Sequence, residues 1–127
     1  MATVLIIDDN ADVLFLMAHF VTSCNHTPVT ANGGATGVSK AQQYRPNLVL
    51  CDLQMPDVSG YNVIALLRQD PVLRLIPVVA MTAHGAEASE KALAAGFDVF
   101  IEKPIVWKLL ARHIELLLAR KQADIYV

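Results

Sequence analysis

Apolar residues along this chain fall into short, nearly unbroken runs separated by longer stretches in which they recur every three or four positions. The runs are TVLII at 3–7, TPVTA at 27–31, NLVLC at 47–51, PVVAM at 77–81 and DVFI at 98–101. Their length and β-branched content predict five strands. Helical spacing covers 11–24, 35–44, 61–69, 86–95 and 105–120, with 121–127 left as a short tail. Strands apolar on both sides are those covered on both faces, so five β-α units predict a parallel sheet with helices on each side. The expected class is α/β, doubly wound. Pro46 stops the second helix, Pro77 opens the fourth strand, and Gly96 suits a left-handed cap on the fourth helix. No linker, repeat or low-complexity segment interrupts the pattern, so a single domain over 1–127 is expected.

The polar residues gain meaning from where the strands end. Asp8 and Asp9 follow the first strand, Asp52 the third, Thr82 the fourth and Lys103 the fifth. In an open parallel sheet these ends share one edge, where ligands bind at the point of reversing strand order. Any one of these residues alone reads as a solvated loop, a cap or a surface side chain, but five of them at one edge form a set. Three gathered carboxylates repel one another unless a cation compensates. Hard oxygen ligands with room for water and phosphate suit Mg²⁺. Lys103 offers a compact positive charge and Thr82 a hydroxyl, both suited to phosphoryl oxygens. A carboxylate can itself receive a phosphoryl group as an acyl phosphate, and Asp52 is the candidate nucleophile.

Composition removes other classes. With 54% hydrophobic and 17% charged residues the chain is no disordered segment, and a formal net charge of −2 gives no field for nucleic acid. Cys24 and Cys51 lack a CxxC spacing, and no leader or membrane-length apolar run of roughly 18 residues is seen, so a soluble, cytoplasmic protein away from the membrane is expected. His19, Cys24 and His26 fit no zinc spacing. The stretch NGGATG imitates part of a dinucleotide fingerprint, but Asn32 occupies the first glycine position, and it reads as a turn and helix entry. Asp57 and Ser59 are expected to cap the third helix.

Taken together, DD after the first strand, LVLCDLQMPDVSG around Asp52, AMTA around Thr82 and FIEKP around Lys103 resemble the response-regulator receiver domains of two-component signalling, chemotaxis-regulator-like, over essentially the whole chain. The resemblance implies the flavodoxin-like (βα)5 fold with strand order 2-1-3-4-5. It implies phosphorylation of Asp52 by a histidine kinase or histidine phosphotransfer protein. Mg²⁺ would sit among Asp8, Asp9, Asp52 and the backbone carbonyl of Gln54, Lys103 would pair with the phosphoryl group, and Lys103–Pro104 would be cis. Thr82 and Phe100 would be switch residues acting on a downstream protein target, and Gln54 and His84 would tune the lifetime of the acyl phosphate. No enzymatic activity beyond self-phosphorylation and autodephosphorylation is expected. A phosphohydrolase with an aspartyl intermediate is the rival, and it lacks a second acid at Gln54. A phosphorylation-independent interaction module is another. The start at Met1 and the end after the fifth helix read as a free-standing receiver, with one excised from a hybrid kinase or larger regulator as the alternative.

In the fifth helix Val106, Leu110, Ile114 and Leu117 share the face expected against the sheet. Ile105, Leu109 and Leu116 widen the apolar arc on one side, and Trp107 and Leu118 on the other. The surplus predicts hydrophobic surface beside Phe100, with Trp107 or Leu118 at its margin. A partner, or a second copy joined through the last two helices, is expected to use it when Asp52 is phosphorylated.

Overall fold

A computed structural model describes residues 1–83 and 85–126 of the chain. Five strands and five helices alternate: β1 Thr3–Ile7, α1 Ala11–Ser23, β2 Thr27–Ala31, α2 Gly34–Tyr44, β3 Leu48–Asp52, α3 Gly60–Gln69, β4 Val78–Thr82, α4 Ala86–Ala95, β5 Val99–Glu102 and α5 Trp107–Tyr126. All strands run parallel in the order β2-β1-β3-β4-β5, as the flavodoxin-like reading expected. The order explains the hydropathy. β3 and β4, inside the sheet, are buried at every position, whereas the edge strand β2 is only partly covered. Pro28 is accommodated there because an edge strand has one side free of ladder hydrogen bonds.

Alternation along the strands divides the interior in two. Leu5, Ile7, Val49, Cys51, Val78 and Ala80 point to the layer of α2, α3 and α4, where Val63, Ile64 and Leu67 meet them. Val4, Ile6, Leu48, Leu50, Val79 and Met81 point to α1 and α5, meeting Met17, Val21, Leu110 and Ile114. Burying side chains of this size contributes about 1.5–3 kcal/mol each. Helix ends follow the expected chemistry. Asn10 accepts from the N–H groups of Asp12 and Val13 to start α1, and Ser59 accepts from Asn62 to start α3. Gly96, at φ 117°, ends α4 in the left-handed region. Arg68 fastens the far end of the sheet: it donates to the carbonyls of Gly96, Arg74 and Ile76 and pairs with Asp98 at 2.9 Å.

Three expectations for the fifth helix are corrected. It begins at Trp107 and continues through Tyr126, where a tail was expected from 121. The sequence after Arg120 holds no glycine or proline to stop it. Val106 precedes the helix and is 60% exposed, while Ile105 packs into the α1–α5 core in its place. Trp107 and Leu118 do not edge a surface beside Phe100. Trp107 packs its ring on Phe20 of α1, centroids 4.9 Å apart, and Leu118 packs on the same core. The exposed apolar residues of the helix are Leu109 and Leu116, 45% and 60% exposed, and the outer side of Trp107, 40% exposed.

Candidate functional site

The sheet delivers its strand ends to one edge, as parallel pairing requires. Asp52 is the last residue of β3, paired beside Met81, and Thr82 closes β4 one residue further on. Asp8 and Asp9 follow β1, and Lys103 follows β5, where its N–H donates to the Thr82 carbonyl at 2.7 Å. Asp8, Asp52 and Thr82 are buried, although each carries a polar side chain. Burying a carboxylate is unfavourable unless its oxygens are satisfied. For Asp8 they are: Oδ1 accepts from the Asn10 N–H at 2.9 Å, and Oδ2 lies 3.2 Å from Lys103 Nζ. Asp52 Oδ1 accepts from the Gln54 N–H at 3.2 Å, and Oδ2 lies 3.7 Å from the same ammonium. The Lys103–Pro104 peptide is cis.

Asp9 is exposed and completes a cluster in which one oxygen from each of Asp8, Asp9 and Asp52 lies within 4.8 Å of the others. Among the described residues Lys103 is the one cation paired with the cluster, through Asp8 and Asp52, so three carboxylates carry excess negative charge. Burial raises the Asp52 pKa above the usual carboxylate range. The Gln54 N–H and Lys103 oppose that rise, and Asp8 and Asp9 add to it. The neighbouring Cys51 is driven the same way: burial, with the charges of Asp52 and Asp8, pushes its thiol far up, so it stays protonated beside the site. An oxygen-only set with surplus negative charge and one exposed member fits a hard divalent cation that keeps part of its water.

Glycine makes room at this edge. A Cβ on Gly60 would come within 2.6 Å of the Asp52 carbonyl and 2.7 Å of Leu53 Cα, so the start of α3 can lie directly under the Asp52 loop. Leu53, Gln54, Tyr61, Thr82, Glu87, Ala88 and Lys91 line a groove of about 440 Å³, across which the Lys91 ammonium sits 4.6 Å from the centre of the Tyr61 ring.

The structure thus brings together Asp8, Asp9, Asp52, Thr82 and Lys103, with Gln54 exposed at the rim. Phe100 is half-buried on the α2–α4 side of the sheet. His84, expected to act with Gln54, lies outside the described residues. Asp57 departs from expectation. Ser59 caps α3, whereas Asp57 reaches across to α2 and accepts from the Gly34 and Ala35 N–H groups, both at 3.3 Å. The N–H groups of Val58, Gly34 and Ala35 hold its carboxyl below the usual range. The sequence did carry a signal for this contact, the paired glycines of NGGATG, whose entry to α2 offers no capping side chain of its own. His26 is a structural tie: its Nδ1 accepts from the Ala2 N–H and its Nε2 lies 2.8 Å from Glu115.

Comparison with known proteins places this geometry. The response regulator receiver domain family matches residues 4–115. The chain is 33% identical over 104 residues to the polar-differentiation response regulator DivK of Brucella anthropi, covering 81% of this chain and 85% of that protein. It also superposes on the signal receiver domain of a signal transduction histidine kinase from Syntrophus aciditrophicus, with TM-score 0.86 and 28% identity over 94% of this chain and 91% of that one. The fold is shared with the chemotaxis protein CheY4 of Vibrio cholerae at TM-score 0.86 and 23% identity, over 92% and 98% of the two chains.

Proposed function

This chain belongs to the response regulator receiver family of two-component signalling, and we propose that within it Asp52 accepts a phosphoryl group from a phosphohistidine on a kinase or a histidine phosphotransfer protein. The observation that carries the reading is the cluster itself: three carboxylates within 4.8 Å, two of them buried, with one ammonium between Asp8 and Asp52. A purely structural site has no reason to bury that much uncompensated charge.

Asp8, Asp9, Asp52 and the backbone carbonyl of Gln54 would hold Mg²⁺, which supplies the positive charge that lets carboxylates and phosphoryl oxygens share the cleft. The chain's own residues do the rest. The Gln54 N–H fixes Asp52 Oδ1, leaving Oδ2 beside Lys103 to meet the incoming phosphorus. As the new O–P bond forms, the P–N bond to the donor histidine breaks, and the imidazole leaves with its electron pair and gains a proton from solvent. Lys103 moves from bridging two carboxylates to neutralising phosphoryl oxygens, and the Thr82 hydroxyl donates to another. Attack by water on phosphorus later breaks the bond to Asp52 and returns phosphate, with Gln54 at the rim tuning that step. Repositioned Thr82 and the half-buried Phe100 carry the change to a protein-interaction surface. The exposed Leu109 and Leu116 of α5 suit a downstream protein or a second copy there. The chain acts on itself alone, with no external substrate turned over. Its free thiols, Cys24 and Cys51, favour a reducing cytoplasm, and no described helix is long and apolar enough to cross a membrane.

Acetyl phosphate with Mg²⁺ tests the assignment. One phosphoryl adduct per chain, seen by intact mass and lost in Asp52→Asn, is the expected outcome. Undiminished labelling of that variant refutes it, and turnover of an external phosphoester favours a hydrolase.

A further inference from the structure

The segment joining Asp52 to α3 carries the Gln54 carbonyl, and it is pinned from four directions. The Leu53 N–H donates to Met81 at 2.9 Å, the Gly60 N–H donates back to Leu53 at 2.9 Å, and Leu53 and Met55 are buried in the core. The fourth is Asp57, whose two carboxylate oxygens take the N–H groups of Gly34 and Ala35 from 23 and 22 residues away. α2 needs an outside acceptor. Its N-cap is Gly33, which has no side chain to accept the first-turn N–H groups.

The space for this contact is made by two glycines. A Cβ on Gly33 would lie 2.9 Å from Asp57 Oδ2, and one on Gly34 would lie 2.7 Å from both the Cβ and the carbonyl oxygen of Val58. A side chain at Gly34 meets the Val58 backbone and pushes the segment away from α2, and one at Gly33 meets the Asp57 carboxylate and displaces it from its seat. The paired glycines and Asp57 are therefore one device, split between the β2–α2 turn and the β3–α3 segment.

We propose that Asp57 is a positioning residue for the phosphoacceptor site: seated on the start of α2 through Gly33 and Gly34, it fixes the 53–59 segment so that the Gln54 backbone meets the cation held by Asp8, Asp9 and Asp52. This rests on the phosphoacceptor reading. Asp57 touches neither cation nor phosphoryl group. It acts through the two residues that separate it from Gln54, Pro56 and the buried Met55, held at their far end by its own two hydrogen bonds.

The test compares wild type with Asp57→Ala and Asp57→Asn. The amide keeps an oxygen to accept from α2 and removes the charge, whereas alanine removes both. Mg²⁺ titration by calorimetry should show Asp57→Ala about tenfold weaker than wild type, the low end for loss of a residue that orients a metal ligand. Asp57→Asn should recover most of that loss. Equal weakening in both variants means that only long-range charge was lost, and unchanged affinity in Asp57→Ala means that the segment needs no fastening; either result overturns the proposal. Thermal unfolding in chelator separates loss of the α2 cap from loss of affinity. Amide exchange across 53–60 in metal-free protein gives a reading independent of phosphorylation. Asp57→Ala should speed it and Asp57→Asn should speed it less, with unchanged exchange counting against the proposal. Failure of the phosphoacceptor reading looks different, as absence of label on Asp52 in wild type.

Discussion

Asp52→Asn should make the metal-free protein more stable at pH 7, even as it removes the function proposed for the site. At an effective dielectric near 20, charges no more than 4.8 Å apart repel by at least about 3 kcal/mol. That is the cost Asp8 imposes on ionised Asp52, and exposed Asp9 adds roughly 1 kcal/mol after solvent screening. Lys103, 3.7 Å away, returns about 4 kcal/mol, so the charge–charge terms nearly cancel. What is left is the transfer of a carboxylate into a site where it is 6% exposed, an effective penalty of several kcal/mol per ion. The Gln54 N–H offsets roughly 2 kcal/mol of it, and the substituted amide can keep that bond through its oxygen. Relief of the remainder should stabilise the variant by about 1–3 kcal/mol, a melting-point rise of roughly 3–10 °C for a domain of this size.

The pH dependence has a definite sign. The folded Asp52 pKa is raised above its ordinary 3.8, so folding favours the protonated form. The penalty is present above the folded pKa and fades as pH falls through it towards 3.8, and the variant's advantage fades with it. Mg²⁺ should cancel or reverse the variant's advantage, since a ligand at about 100 times its Kd adds roughly 2.7 kcal/mol to the protein that binds it. Thermal unfolding of both proteins in chelator and in excess Mg²⁺, from pH 7 to pH 4, measures all of this. A variant less stable than wild type in chelator at pH 7, or an advantage that does not shrink on acidification, refutes the reasoning.

Two further outcomes are expected. Gly60→Ala forces a methyl group against the Asp52 carbonyl and Leu53 Cα, so urea denaturation should show a loss of about 1–3 kcal/mol together with slower acetyl phosphate labelling; an unchanged midpoint contradicts the close approach. In sedimentation, beryllofluoride should promote association of wild type but not of the Leu109→Ser, Leu116→Ser double variant, and equal association of the two excludes this face of α5 as the contact.

Much of this was legible because a parallel sheet converts sequence order into spatial order. Once the apolar runs are strands, whatever follows each run shares an edge, so Asp8, Asp9, Asp52, Thr82 and Lys103 could be gathered before any coordinate was known. The strands themselves end one residue later than the apolar runs at β3, β4 and β5, because Asp52, Thr82 and Glu102 continue the ladder although they are polar. What was not legible depends on which side chain meets which across the chain. Asp57 looked like a local cap because a carboxylate two residues before Ser59 suits α3. Only the nearness of α2, whose first turn lacks an acceptor, turns it the other way. Helical spacing counted Val106 as core, but the helix starts at Trp107, and Ile105 in the preceding turn fills the space instead. Trp107 was placed on the wrong flank because its contact, Phe20, belongs to a helix more than eighty residues earlier.

The division of the interior by the sheet also bears on how such a sequence changes over generations. Leu110 and Ile64 are both fully buried, yet they belong to clusters separated by a layer of strand backbone and touch none of the same side chains. Substitutions in such separate settings combine additively, so a change tolerated on one side needs no answering change on the other. The α1–α5 side and the α2–α4 side are therefore free to accumulate differences on independent schedules. A lineage can remake the face offered to one partner while the other face, and the strand ends between them, stay as they were.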